Sequence, residues 1–232
     1  MKINYKEINQ LFFQFCHEVI NEPLCFFSEA DLQAMLYRKL HSEFSEPITT
    51  NYSKGPNSKS KYTTYQVHRE YGVRDRPKER MDLVIFSEED ISKINTPNLT
   101  IKQNNQEEYL VPEVGIELGT HKTTNYKEHL DGDIDKLKEL NRGYLVYIMR
   151  EESLSSVYSE TGQKTKKRIE KDIMEETESF YPFPSNIISL IFLVKIQKQD
   201  KIWGKCRFYN PLLNEWKPIN LKNIYDDLNN TF

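Results

Sequence analysis

The chain has 232 residues, with 32 Lys and Arg against 35 Asp and Glu, a formal net charge of −3 and a mean hydropathy of −0.71. That length suits a single α/β domain, and Leu, Ile, Val and Phe make up about 26% of it, above the ~20% below which disorder is the default. The near-neutral sum excludes a uniformly basic nucleic-acid binder but leaves room for local basic patches.

Residues 6–20 place Leu11, Phe15 and Val19, with Phe12, Cys16 and Ile20 beside them, at i,i+4 spacing, which predicts a helix with a broad apolar stripe. Asn21-Glu22-Pro23 ends it. Ser28 then reads as an N-cap, with Glu29 and Asp31 in the first turn and Leu32, Leu36 and Leu40 on one face of a second helix. Residues 45–60 have Gly, Pro, Ser and Asn without an apolar period, and a loop is expected there. From Tyr65 to Val73 alternation predicts a strand with Tyr65, Val67, Tyr71 and Val73 on one face and Gln66, His68 and Glu70 on the other. Arg80–Phe86 (RMDLVIF) reads as a central strand covered on both faces. Residues 87–108 are polar and are expected to be an irregular excursion outside the core. Tyr109–Leu118 predicts a third strand, residues 123–141 a helix with Leu130, Ile134 and Leu137, and Gly143–Met149 a fourth strand. A charged helical insertion is expected near 150–180, then strands over Ile187–Ile196 and 201–209. The sum is an α/β chain: one mixed β-sheet of about five to six strands flanked by helices.

Cys16, Cys25 and Cys206 form no CxxC pair, which fits a reducing compartment. The start carries Glu7 and Gln10 where a signal peptide needs an unbroken apolar stretch. The longest apolar run, Ile187–Val194, is too short to span a bilayer. A cytoplasmic chain with no membrane partner is expected.

Two acids stand where strands should avoid them. Asp82 lies inside RMDLVIF, and Glu117 lies inside VGIELG on the face it shares with Gly115 and Glu113. Glu70 is a third acid, on the preceding strand. A buried carboxylate needs a cation or a donor network to offset its desolvation, and acids converging from neighbouring strands form the oxygen-rich site that Mg²⁺ prefers.

Glu70 in VHREY, Asp82 in RMDLVIF, Glu117 in GIELG and the HLDGDIDKLKEL helix before GYLVYIM together resemble the PD-(D/E)XK nuclease superfamily. The resemblance runs from Glu29 to about Met149. It implies a restriction endonuclease-like fold, with Asp82 and Glu117 as metal ligands helped by the Leu118 carbonyl, and Glu70 as an accessory acid. It also implies a Lys two residues after the Glu, where this chain has Gly119. Such a Lys orients the attacking water or stabilises charge on the phosphorane. Lys122, with Lys127 second, is the expected replacement. The implied activity is Mg²⁺-dependent hydrolysis of DNA phosphodiesters, with Mn²⁺ as a substitute, in restriction or defence, by a monomer or a homodimer. The alternative is an inactive nucleic-acid-binding or regulatory protein on the same fold.

The charge distribution agrees with a polyanionic substrate. Residues 51–80 hold eight Lys and Arg against three acids, and residues 195–207 hold five against one. Lys54, Lys59, Lys61, Arg74 and Arg76 are the candidate phosphate contacts, with Tyr52, Tyr62 and Tyr65 interleaved. Asp131-Gly-Asp133-Ile-Asp135 lacks the Gly and terminal Glu of a calcium loop and reads as a helix segment with exposed acids. His121 and His129 lack zinc-spaced partners, and the chain has no GK[ST] phosphate loop and no G-x-S-x-G.

Overall fold

The structure, a computed structural model, describes residues 3–21, 28–53, 59–73, 76–94, 100–103, 106–120, 126–150, 184–196, 202–210 and 215–218. Helix α1 (Tyr5–Asn21) buries Ile8, Leu11, Phe12, Phe15, Cys16 and Val19, the stripe its periodicity predicts. Helix α2 (Glu29–Glu43) begins at a capping box. The Ser28 Oγ accepts from the Asp31 N–H at 3.2 Å, and the Asp31 carboxylate accepts from the Ser28 N–H at 2.9 Å. Its Leu32, Leu36 and Leu40 are fully buried.

Among the described residues the main sheet has seven strands, more than the five to six expected: β3 (Val67–Val73), β4 (Arg76–Ile85), β7 (Val114–Thr120), β8 (Arg142–Arg150), β9 (Ile187–Ile196), β10 (Ile202–Asn210) and β11 (Glu215–Pro218). They lie in the order β11-β10-β9-β8-β7-β4-β3. From β3 through β4 to β7 the pairing is antiparallel. Helix α4 (Tyr126–Leu137) follows β7 in the chain, and β8 then runs parallel to β7, as β9 does to β8; β10 and β11 return antiparallel.

Helices cover both faces. Helices α1 and α2 share one apolar cluster with Leu83, Ile85, Ile116, Leu118, Tyr144 and Val146. Leu130, Ile134 and Leu137 of α4 share the other with Val84, Phe86, Leu145 and Tyr147. Strand β4, expected to be central, lies instead beside the edge strand β3, yet it is covered on both sides, with Leu83 and Ile85 toward α1 and α2 and Val84 toward α4. Phe12 stacks on Tyr144 with ring centroids 4.1 Å apart, and the Tyr144 hydroxyl donates to Asn9 Oδ1 at 2.7 Å, tying α1 to the sheet centre.

Four local expectations are corrected. Within 45–60, residues Ile48–Ser53 (β1) and, overlapping its end, Lys59–Thr64 (β2) pair as a separate antiparallel hairpin. Thr, Tyr and Ile favour extended backbone there without an apolar period. Residues 87–108 hold helix α3 (Glu88–Lys93), capped by Ser87, and a hairpin of β5 (Thr100–Gln103) and β6 (Gln106–Tyr109). Ile91 and Ile94 are buried, so α3 packs into the core. The strand expected over Tyr109–Leu118 is split, and β7 starts only at Val114, after Pro112, which has no N–H to give a ladder. In β3, Val67 packs with α1 and α2 whereas Tyr71 packs on the α4 side, so they do not share a face. The cause is Glu70, whose φ of 51° lies in the left-handed region and interrupts the alternation. The insertion expected near 150–180 lies outside the described residues.

Candidate functional site

The pairing between β4 and β7 is short. It joins Ile85 to Val114, Val84 to Gly115 and Leu83 to Ile116, and stops one step before Asp82 and Glu117. There the ladder is replaced by a side chain: Asp82 Oδ2 accepts the Leu118 N–H at 2.7 Å. The strands part at the two acids the sequence singles out. On the outer side of β4, the left-handed Glu70 falls between the ladder pairs Arg69–Leu83 and Tyr71–Met81. Backbone strain of this kind, about 1–3 kcal/mol, gathers where a site has to be shaped.

Both helix layers reach this opening. From α2, Gln33 Nε2 donates to Glu70 Oε1 at 2.7 Å and to the Asp82 carbonyl at 3.0 Å, while Gln33 Oε1 accepts from Arg69. From α4, Lys136 Nζ donates to Glu117 Oε2 at 2.6 Å and to Asp133 Oδ1 at 2.8 Å, with a longer contact of 3.3 Å to the Arg80 carbonyl. The second oxygen of Asp133 accepts from the Tyr147 hydroxyl of β8. The Glu117 side chain is 2% exposed and that of Lys136 is 13% exposed.

The electrostatics follow from burial. Desolvation pushes the Asp82 carboxyl up to about 7, against the Leu118 N–H that favours its ionised form, with Glu29 adding to the rise. Glu117 is raised well above the usual carboxylate range by burial and by the fields of Asp133 and Asp82, with Lys136 opposing. Glu29 is raised by partial burial and by Asp133 and Glu70. Burial works against the Lys136 ammonium, but Glu117 and Asp133 outweigh it and hold the group charged. Several acids thus face one another with one lysine among them, an arrangement short of positive charge.

Glu117 Oε1 is the sharpest sign of that deficit, being buried with no hydrogen-bond partner among the described residues. An orphaned carboxylate oxygen beside a second carboxylate fits a hard divalent cation, which binds oxygen and keeps several waters. Among the described residues no three His, Cys, Asp or Glu side chains form a ready-made metal cage. A cation here would rest on one or two carboxylates and complete its shell with water.

Asp82 and Glu117 are brought together at the end of the β4–β7 ladder, and Glu70 stands at the rim, exposed and held by Gln33. Lys122, Lys54 and Arg74 lie outside the described residues. Lys59 and Lys61 are on β2 and Arg76 opens β4. The Asp133 segment, expected to carry only exposed acids, is corrected, since Asp133 is half-buried and faces Lys136 and Tyr147. Lys136, Asp133, Tyr147 and Gln33 are absent from the sequence candidates. The i,i+3 spacing of Asp133 and Lys136, beside the core residue Leu137, is the signal that places them toward the sheet.

Gly119 has a steric explanation. It lies opposite Tyr147 in the β7–β8 register, and a Cβ at 119 would collide with the tyrosine ring. The space beside position 119 is filled from β8. Comparison with protein-family models, with curated proteins and with solved structures finds no match.

Proposed function

We propose that this α/β protein is a metal-dependent deoxyribonuclease with a restriction endonuclease-like core formed by β3, β4, β7, α4 and β8. The observation that carries the reading is the parting of β4 and β7 at Asp82 and Glu117, with a lysine ammonium 2.6 Å from Glu117. Asp82 and Glu117 would hold Mg²⁺ or Mn²⁺, which supplies a water of lowered pKa and Lewis-acid stabilisation of the leaving oxygen. Lys136, arriving from the helix and not from Gly119 or Lys122, holds a proton-rich ammonium at the same point. It orients the attacking water and offsets charge growing on the phosphoryl oxygens. Glu70 and Glu29 shape the rim, and the basic stretch over 51–80 meets the DNA backbone.

The test is cleavage of supercoiled DNA with Mg²⁺ or Mn²⁺. Asp82→Ala, Glu117→Ala and Lys136→Ala should each lower the rate by roughly 100-fold or more, while Lys122→Ala should not. Cleavage that survives Asp82→Ala and Glu117→Ala sinks the site. Loss in Lys122→Ala with no loss in Lys136→Ala reassigns the lysine. A parent chain that retains DNA in a salt-sensitive manner without cutting it favours a binding protein on the same fold, the reading that Gly119 supports.

A further inference from the structure

The inference rests on the nuclease reading and concerns what aims its ammonium group. We propose that Tyr147 and Asp133 are positioning residues that hold Lys136 on Glu117, so that the pair on β8 and α4 does from across the sheet what a strand lysine at position 119 would do directly. Tyr147 takes part twice. Its ring fills the space beside Gly119, which closes that position to any side chain. Its hydroxyl donates to one oxygen of Asp133, and the other oxygen of Asp133 accepts from Lys136, one helical turn further on, at 2.8 Å.

A lysine stem has four rotatable carbons and keeps many rotamers when a single contact holds its head. Here the head is pinned by two carboxylates, and one of them is itself anchored to the sheet by a phenol. The third contact of Lys136, to the Arg80 carbonyl, is the longest at 3.3 Å. That N–H is the one to exchange for the attacking water or a phosphoryl oxygen. Asp133 is placed as a support and not as a metal ligand, because both of its oxygens already accept hydrogen bonds while Glu117 Oε1 has no partner among the described residues.

The decisive variants are Tyr147→Phe, which keeps the ring beside Gly119 and removes only the hydroxyl, and Asp133→Asn. Three quantities are read: kcat and KM for DNA cleavage, the rate at which Lys136 is modified by an amine-directed label in the metal-free chain, and the affinity for Mn²⁺ by calorimetry. The expected result for Tyr147→Phe is a fall in kcat of about ten-fold at constant KM, with Lys136 labelled several-fold faster. Asp133→Asn should give a larger fall with Mn²⁺ affinity within two-fold of the parent. Restoring the carboxylate as Asp133→Glu should recover part of kcat.

Unchanged labelling of Lys136 in Tyr147→Phe overturns the proposal, as does a lower melting temperature with kcat intact. A loss of Mn²⁺ affinity in Asp133→Asn as large as that in Glu117→Gln also overturns it, since Asp133 would then be a ligand. If the parent chain cleaves and Tyr147→Phe cleaves equally well, the positioning role fails and the nuclease reading stands. If the parent does not cleave, the nuclease reading fails, and the labelling rates alone decide whether Tyr147 and Asp133 hold Lys136.

Discussion

Asp82 gives the folded chain a pH dependence with a definite sign. Its ordinary value of 3.8 rises to about 7 in the folded state, so the native protein holds a proton there that the unfolded chain releases. Where the native state binds more protons, stability falls as pH rises. Without divalent cations the melting temperature should therefore fall between about pH 4 and pH 7, and Asp82→Asn should flatten that slope in a thermal series. Glu117, raised in the same direction, steepens the same trend. A second residue-scale expectation concerns Gly119. Gly119→Ala drives a methyl into the Tyr147 ring, and such overpacking costs roughly 1–3 kcal/mol. Denaturant titration should show that loss, and the displaced tyrosine should lower cleavage along with it. The sequence shows glycine at 119, and the Tyr147 ring opposite it explains why no side chain fits there.

At the scale of elements, α2 and α4 do different work. The capping box at Ser28 starts α2 so that Glu29 and Gln33, four residues apart, fall on the side facing the parted strands. Ser28→Ala should cost about 1 kcal/mol, or roughly 2–4 °C in melting temperature for a chain of this size. Cleavage measured well below that temperature should change little if the cap serves only the helix. Helix α4 is the only described element that brings a cation to Glu117. Its Leu137 lies against the region where a Cβ on Gly115 would collide, so the helix sits close enough for Lys136 to reach the strand. The existence of both helices, the Ser28 cap and the strand over Ile187–Ile196 were legible from periodicity and end signals. The hairpin of β1 and β2 was not, because a peripheral hairpin needs no alternation of apolar residues.

Across the whole molecule, the site exists because a seven-stranded sheet stops pairing at one point between two helix layers. Acids from β4, β7, α2 and α4 then feel one another across the gap, and on the proposed reading a bound cation would relieve their mutual repulsion. At pH 8, Mg²⁺ should raise the melting temperature, because a ligand at ~100 times its Kd adds about 2.7 kcal/mol. The shift should shrink at pH 5, where Asp82 is protonated, and vanish in Asp82→Ala; a differential scanning measurement checks both. No helix among the described residues is long and apolar enough to cross a membrane.

The net charge of −3 is a poor guide to partners, since it sums a basic stretch over 51–80 with acids gathered around Glu117. By itself the sequence determined α1, α2 and α4, the apolar strands around Leu83, Ile116 and Val146, and the two misplaced acids. Each of those is written in local spacing, and a carboxylate inside an apolar run is conspicuous without coordinates. Only the tertiary structure decided which lysine serves Glu117 and why position 119 has no side chain. Both depend on groups distant in sequence, Lys136 on a helix and Tyr147 on the next strand, that meet only when β8 is laid parallel to β7 and α4 is packed over them.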